Sequence, residues 1–304
     1  MLSGGCEGVL YETREKYLTL DHLPGSALEI STANGSVEVW PGSEPAILVR
    51  AVIRARVGRG DQVGVRAVHE PGGTIVLTPE WPGGGRRGSE GCSFAVTTPT
   101  LAGVKVRTSN GRVEVAGMAG HADLAGSNGR IILADHAGDA RLKTSNGSIR
   151  ATAVAGSIEA ETSNGSISIN GVGGPVTART TNGALSFTLG EGFQGPVKAC
   201  SSNGSITLRL GRGVPGEFEV SSSNGGVRVL GAAAERVVVR RWSAAVTMGL
   251  GPKSVLSSSN GSIRIELPDA LTEPAASLPG PRQALPVTPV DAPLIGSGVI
   301  TPPR

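Results

Sequence analysis

From about residue 103 to residue 265, apolar and polar positions alternate in short runs, and the runs recur at a fixed interval. Three steps after the Asn of each Asn-Gly pair stand Val113, Ile131, Ile149, Ile167, Leu185, Ile206, Val227 and Ile263, and five steps after it stand Val115, Leu133, Ala151, Ile169, Phe187, Leu208, Val229 and Ile265. A second run brings Ala122, Ala140, Ile158, Val176, Val197 and Phe218 six residues before the following Asn. Alternation with period two puts each set on one face of a strand. The pairs themselves lie at Asn110, Asn128, Asn146, Asn164, Asn182, Asn203, Asn224 and Asn260, at intervals of 18, 18, 18, 18, 21, 21 and 36 residues. The last interval is twice 18, and Trp242-Ser243 stands where an Asn-Gly is missing, so nine units are expected there, one of them degenerate. Each unit reads as two short strands and two turns. One unit cannot bury its apolar face alone, whereas stacked units bury it continuously. The predicted fold is all-β: a single-stranded parallel β-solenoid, or β-helix, of about 18 residues per coil.

The outward columns distinguish stacked coils from a hairpin meander. Five residues before successive Asn the column runs Asp123, Arg141, Glu159, Thr177, Lys198, Glu219, and three before it runs Ala125, Lys143, Glu161, Arg179, Cys200, Ser221. Where neighbours are both charged the sign alternates, as it must if each residue lies about 4.8 Å from its equivalent in the next coil. Arg112 and Arg130, in equivalent positions, are two like charges that this pattern does not reconcile. Asn-Gly at the corner is expected for its tolerance of positive φ, with the amides bonding from coil to coil as a structural turn ladder and no chemistry of their own.

Residues 17–40 contain a further unit around Asn34, with Leu28, Ile30, Val37 and Val39 at the same offsets. Residues 45–107 break the period with strand-like runs at 46–57, 62–69, 73–78 and 93–98 and a Gly-rich loop at 81–88. They read as a β excursion capping the N-terminal end of the stack. The expected divisions are a flexible N-terminus (1–16), an N-terminal coil with its capping excursion (17–107), the solenoid (108–267), and a Pro-rich disordered tail (268–304) that obstructs the other end.

Composition narrows the functional classes. Among 304 residues are 46 Gly and 20 Pro but only 3 Trp, 2 Tyr and 4 Phe, so a sugar groove lined with outward aromatics, as in polysaccharide-active β-helices, is not foreseen. A net charge of +3 favours neither nucleic acid nor anionic lipid as partner. No apolar run reaches the 18 residues of a membrane helix. Cys6, Cys92 and Cys200 are too widely spaced for a disulfide framework or a zinc module, although one disulfide is compatible with them. The loop at 82–88 lacks the Gly-Lys-Ser/Thr ending of a phosphate cradle and reads as a flexible loop. No cofactor motif occurs. The candidate metal ligands are His121, Asp123, Asp135, His136 and Asp139, on adjacent coils but without calcium-loop or zinc-helix spacing. The N-terminus lacks a signal's apolar segment, yet Leu2-Ser3-Gly4-Gly5-Cys6 is similar to the end of a lipoprotein signal. With Met1 as the true start the expected location is the cytoplasm; with an upstream start, Cys6 becomes a lipidation candidate.

The Ser-Asn-Gly-Ser-Ile-x-Ile coils, entered through Phe94-Ala95-Val96-Thr97-Thr98-Pro99 and Val104-Lys105-Val106-Arg107-Thr108-Ser109-Asn110-Gly111, resemble the bacterial putative-adhesin family, first described as a domain of unknown function. The match covers roughly residues 17–267 and rests on turn and core residues. The resemblance implies a non-enzymatic β-solenoid, a scaffold linked to the cell envelope, with a protein or surface glycan as partner. A self-assembling, bactofilin-like cytoskeletal protein is the alternative, and a polysaccharide-active β-helix enzyme the third reading. Blocked ends predict a monomer or small oligomer.

Overall fold

The computed structural model describes residues 9–83, 85–232 and 234–268; Cys6 and the Pro-rich segment from 269 onward lie outside them. Among the described residues, apart from one turn of 3-10 helix at Gly60–Gln62, every regular element is a strand, and the strands form two sheets of 12 and 13. Each coil of the repeat supplies one strand to each sheet. Ile158–Thr162, for example, lies between Ala140–Thr144 and Val176–Thr180 in one sheet, and the Ile167–Val172 strand of the same coil lies between Ile149–Val154 and Leu185–Leu189 in the other. All these pairings are parallel and in register, so Ile149, Ile167, Leu185 and Ile206 form one buried column and Ala140, Ile158, Val176 and Val197 the column facing it. The solenoid expected from the alternation is the fold observed.

Register also fixes the outward ladders. Lys143 Nζ lies 2.9 Å from Glu161 Oε2, and Arg179 stands in register with Glu161 on the other side of the column. Both members of the Lys143–Glu161 pair are about half exposed, so Glu161→Lys is expected to cost only about 0.5–1 kcal/mol, more at low salt, by placing three cations in one row. Urea unfolding at two ionic strengths measures it. The Arg112 and Arg130 problem is solved by divergence: Arg112 turns along its own strand to Glu114, while Arg130 Nε donates to Ser148 Oγ at 3.0 Å on the next coil.

At the corner, Asn128 Nδ2 donates to Asn110 Oδ1 and Asn146 Nδ2 to Asn128 Oδ1, each at 2.8 Å. The chain of amides continues through Asn164, Asn182, Asn203, Asn260 and Asn224, and at the other end passes through Asn34 to the Glu90 carbonyl. Every bond points the same way, so each amide polarises the next. A second ladder runs beside it: the buried hydroxyl two residues before the Asn donates to the Gly carbonyl of the neighbouring coil, as from Thr162 to Gly147 and from Thr180 to Gly165, both at 3.0 Å. The expected reason for the glycines is overturned. Among the described residues none of the Gly in these Asn-Gly pairs has a positive φ, and the only non-Gly residues that do are Asp135 and Ala153. What excludes a side chain is proximity, since a Cβ on Gly147 would lie 1.7 Å from the Gly129 carbonyl oxygen.

Chain order and stacking order differ at both ends. The first coil of the chain, Ala27–Asn34 with Val37–Pro41, sits inside the stack, between Thr74–Glu80 with Gly91–Thr98 and Gly103–Asn110 with Val113–Ala116. The last, Lys253–Ser258 with Ile263–Glu266, likewise sits between Val197–Ser201 with Ile206–Leu210 and Gly216–Ser222 with Val227–Leu230. Each terminal coil is therefore bonded along both edges and cannot fray alone. The excursion thus contributes a coil of its own, and the strand Gly103–Asn110, assigned above to the excursion, belongs to the solenoid.

Antiparallel strands finish both sheets at the N-terminal end and the 13-stranded sheet at the other. Gly64–His69 lies on Thr74–Glu80, Ala46–Arg56 on Gly91–Thr98, and Tyr11–Asp21 on Ala46–Arg56. Residues 11–16, expected to be flexible, are thus in an edge strand whose Glu12, Arg14, Glu15 and Lys16 discourage further pairing. At the other end the supposed degenerate unit around Trp242-Ser243 is no coil. It is an antiparallel hairpin, Arg236–Val239 with Ser243–Met248, added beyond Gly216–Ser222. Among the described residues this hairpin ends the 13-stranded sheet, and the parallel strand Val227–Leu230 ends the 12-stranded one; the segment from 269 onward, expected to obstruct this end, lies outside the described residues. Cys92 is buried and Cys200 exposed, and neither is in a disulfide.

Candidate functional site

The five candidate metal ligands do not converge. Asp123 is engaged by Arg107 of the preceding coil, and the guanidinium holds its carboxyl below the usual range. Asp139 accepts from both the Ser157 hydroxyl and the Ser157 N–H at 2.7 Å, and these bonds likewise lower its pKa. His136 is buried with Nε2 3.0 Å from the Gly120 carbonyl, and burial pushes its pKa down. His121 and Asp135 are exposed, Asp135 near the end of the strand Ile131–His136 with φ 49°. Among the described residues no group of three or more His, Cys, Asp or Glu is placed to hold a metal ion. The Asn110 to Asn260 amides are occupied with one another, as the ladder requires.

The Gly-rich loop is pinned rather than loose. Arg59 Nη2 donates to the carbonyls of Pro82 and Gly85, and the Glu90 carboxylate, fully buried, accepts from the N–H groups of Arg87 at 2.7 Å and Arg56 at 3.1 Å, with Arg59 Nε 3.4 Å away. Burial opposes the charge on Glu90, but these donors prevail and its pKa is lowered. A lone Glu beside a Gly-rich loop carries no periodic signal, so its role was not visible in the sequence.

The distinctive surface is the C-terminal hairpin. Val237, Val238 and Val239 are 43, 37 and 51% exposed, unusual for consecutive β-branched residues in a strand. They belong to the outermost strand of the 13-stranded sheet and, among the described residues, pair only with Ser243–Met248. Arg240 N donates to Ser243 O at 2.7 Å. Because antiparallel ladders alternate, Arg240, Val238 and Arg236 direct their backbone groups to the neighbouring strand, and Val237 and Val239 turn theirs to the open edge. On the outer face, Arg236, Val238 and Arg240 flank a trough of about 460 Å3 floored by Ser243, Ala245 and Thr247 and bounded on the far side by Glu217 and Glu219. Arg241 stacks on Trp242 at 4.7 Å. Among the described residues no carboxylate lies within ion-pair distance of Arg236, Arg240 or Arg241, whereas Glu219 is taken by Lys253 at 2.6 Å. The available signal was a run of three β-branched residues without alternation, bounded by arginines, in a chain that otherwise alternates.

Residues 27–266 match the family model described as Toastrack DUF4097. No curated protein matches the chain. Among solved structures it is similar to a putative adhesin from Parabacteroides distasonis, at 11% identity over 84% of this chain and 97% of that one with a TM-score of 0.42. It is similar also to a putative adhesin from Bacteroides fragilis, at 12% identity, the same coverages and a TM-score of 0.39. A third, a putative lipid binding protein from Parabacteroides distasonis, shows 14% identity over 83% and 96% of the two chains with a TM-score of 0.39.

Proposed function

The chain belongs to the Toastrack DUF4097 family, and on that premise we propose that it is a non-catalytic, adhesin-like interaction scaffold of the bacterial cell envelope. The observation that carries this reading is how the outward charges are used. Asp123, Glu159, Glu161, Glu219 and Glu266 each face a cation on a neighbouring coil or strand. Acid–base chemistry needs carboxyl groups set apart in environment and left free to exchange protons; here they are spent on register. The family match by itself does not decide activity, because function resides in sites rather than folds.

Incubation of the full chain with a panel of bacterial and host glycans is expected to release no product. Turnover that disappears in Glu217→Gln or Glu219→Gln, the carboxylates bordering the trough, would replace the scaffold with a polysaccharide-active enzyme. A filament-forming protein finds less support, since antiparallel strands finish both sheets at the N-terminal end, where the edge strand Tyr11–Asp21 is charged, and an antiparallel hairpin ends the 13-stranded sheet at the other.

A further inference from the structure

We propose that the open edge Arg236–Val239 is a docking strand that captures an extended segment of a partner protein, with acidic residues four apart and apolar residues between them. This rests on the scaffold reading and names the kind of partner. Three features of the edge specify the occupant.

The backbone requires a strand. Val237 and Val239 present N–H and C=O groups to the open side, and adding a strand to an exposed sheet edge is a recurrent mode of peptide recognition. The side chains on the core side require apolar neighbours. Phe218 pairs through Val246 to Val237, and Val220 through Ala244 to Val239, so two columns of the solenoid interior run out to the edge. Their exposure climbs from essentially none at Phe218 and Val246 to 43% at Val237, with nothing beyond to cover it among the described residues. The outer face requires acids. Arg236 and Arg240 stand there on either side of Val238, four residues apart and without carboxylate partners; Glu235, which precedes them, and Glu217, two strands inward, are the acidic groups nearest along chain and sheet. An added strand therefore places positions one and five beside the two arginines and positions two and four over the valines.

The same features disfavour the other occupants. A second copy paired antiparallel about Val238 sets Arg236 opposite Arg240 twice, and like charges directly opposite destabilise a pair. A lipid surface cannot satisfy the open backbone groups, and unpaired sheet edges do not enter hydrocarbon.

The test uses the full chain and labelled synthetic peptides carrying Glu-Val-Thr-Val-Glu between Gly-Ser flanks, read by fluorescence anisotropy. The acidic peptide is expected to bind, and Lys-Val-Thr-Val-Lys to bind at least roughly tenfold more weakly. Arg236→Glu with Arg240→Glu should reverse that order. N-methylation of alternate peptide amides should abolish binding in one parity and leave it in the other, a signature that does not depend on any protein variant folding. Val239→Pro, which removes an outward N–H and no ladder bond, should abolish it with the far-ultraviolet spectrum unchanged. Equal binding of the two peptides, indifference to N-methyl parity, capture by phosphatidylglycerol vesicles without peptide binding, or a dimer lost on Val239→Pro would each overturn the proposal. Those failures leave the scaffold reading in place, because that reading is tested separately by glycan turnover.

Discussion

Gly147→Ala is expected to destabilise the protein by about 3 kcal/mol or more, and Gly147→Asn by at least as much. The argument is steric. The Cβ of either residue would lie 1.7 Å from the Gly129 carbonyl oxygen and 2.6 Å from its carbon, a backbone group fixed by ladders on both sides. Relief requires the coils to part, which breaks the adjoining hydrogen bonds from the Asn146 amide to the Asn128 amide and from the Thr144 hydroxyl to the Gly129 carbonyl. If the glycine were needed for a left-handed turn, Asn would be the best-tolerated replacement; with close approach as the cause, Asn gives no relief. Gly126 is the internal control. Its Cβ would meet nothing closer than 3.8 Å, and it occupies the hydroxyl-ladder position that Thr108 and Thr144 fill on adjacent coils. Gly126→Ser should therefore be neutral or stabilising, by up to about 1 kcal/mol. Chemical denaturation of the three variants decides the matter, and Gly147→Asn at wild-type stability would restore the conformational explanation.

The contrast between these two glycines shows where the sequence was legible. Columns such as Ile149, Ile167 and Leu185 could be read directly because one coil repeats the next, and the alternation of Lys143, Glu161 and Arg179 identified the stacking as parallel. The order of the coils could not be read. Ile206 can stack on Val227 or on Ile263 with the same register, so identical repeats specify the lateral fit but not the sequence of layers. The outcome follows burial: the unit with Ile263 and Ile265 takes the interior place, and the unit with the exposed Leu230 lies outside. Tyr11–Asp21 was missed because, of its residues, only Leu18 and Leu20 reach the core, too few for a pattern. The hairpin Arg236–Met248 reads in the sequence as a lost repeat because the interval from Asn224 to Asn260, 36 residues, equals two coils. In both cases an antiparallel strand at the rim packs on one neighbour, so the repeat no longer constrains its sequence.

Ile167→Asp is expected to be the most damaging single change in the coil interior. Ile167 is fully buried, between Ile149 and Leu185 in its column, and its side chain faces apolar residues only. Removing its methyl and methylene groups forfeits roughly 2–4 kcal/mol. The carboxyl adds desolvation with no donor to meet it, because the nearby backbone N–H groups are committed to the parallel ladders. Burial favours the neutral acid, so the folded-state pKa of the new group rises above its unfolded value of about 3.9. The folded state then holds a proton that the unfolded state has released, and the variant loses further stability as pH rises from the unfolded pKa toward the folded one. The loss should therefore exceed about 4 kcal/mol at pH 8 and be smaller at pH 4, with Ile167→Asn, which does not titrate, showing the same loss at both. Thermal unfolding of the three proteins at the two pH values separates the packing from the charge. A tolerated Ile167→Asp would mean that the column is not a closed interior, and the stacked-coil architecture would fall with it.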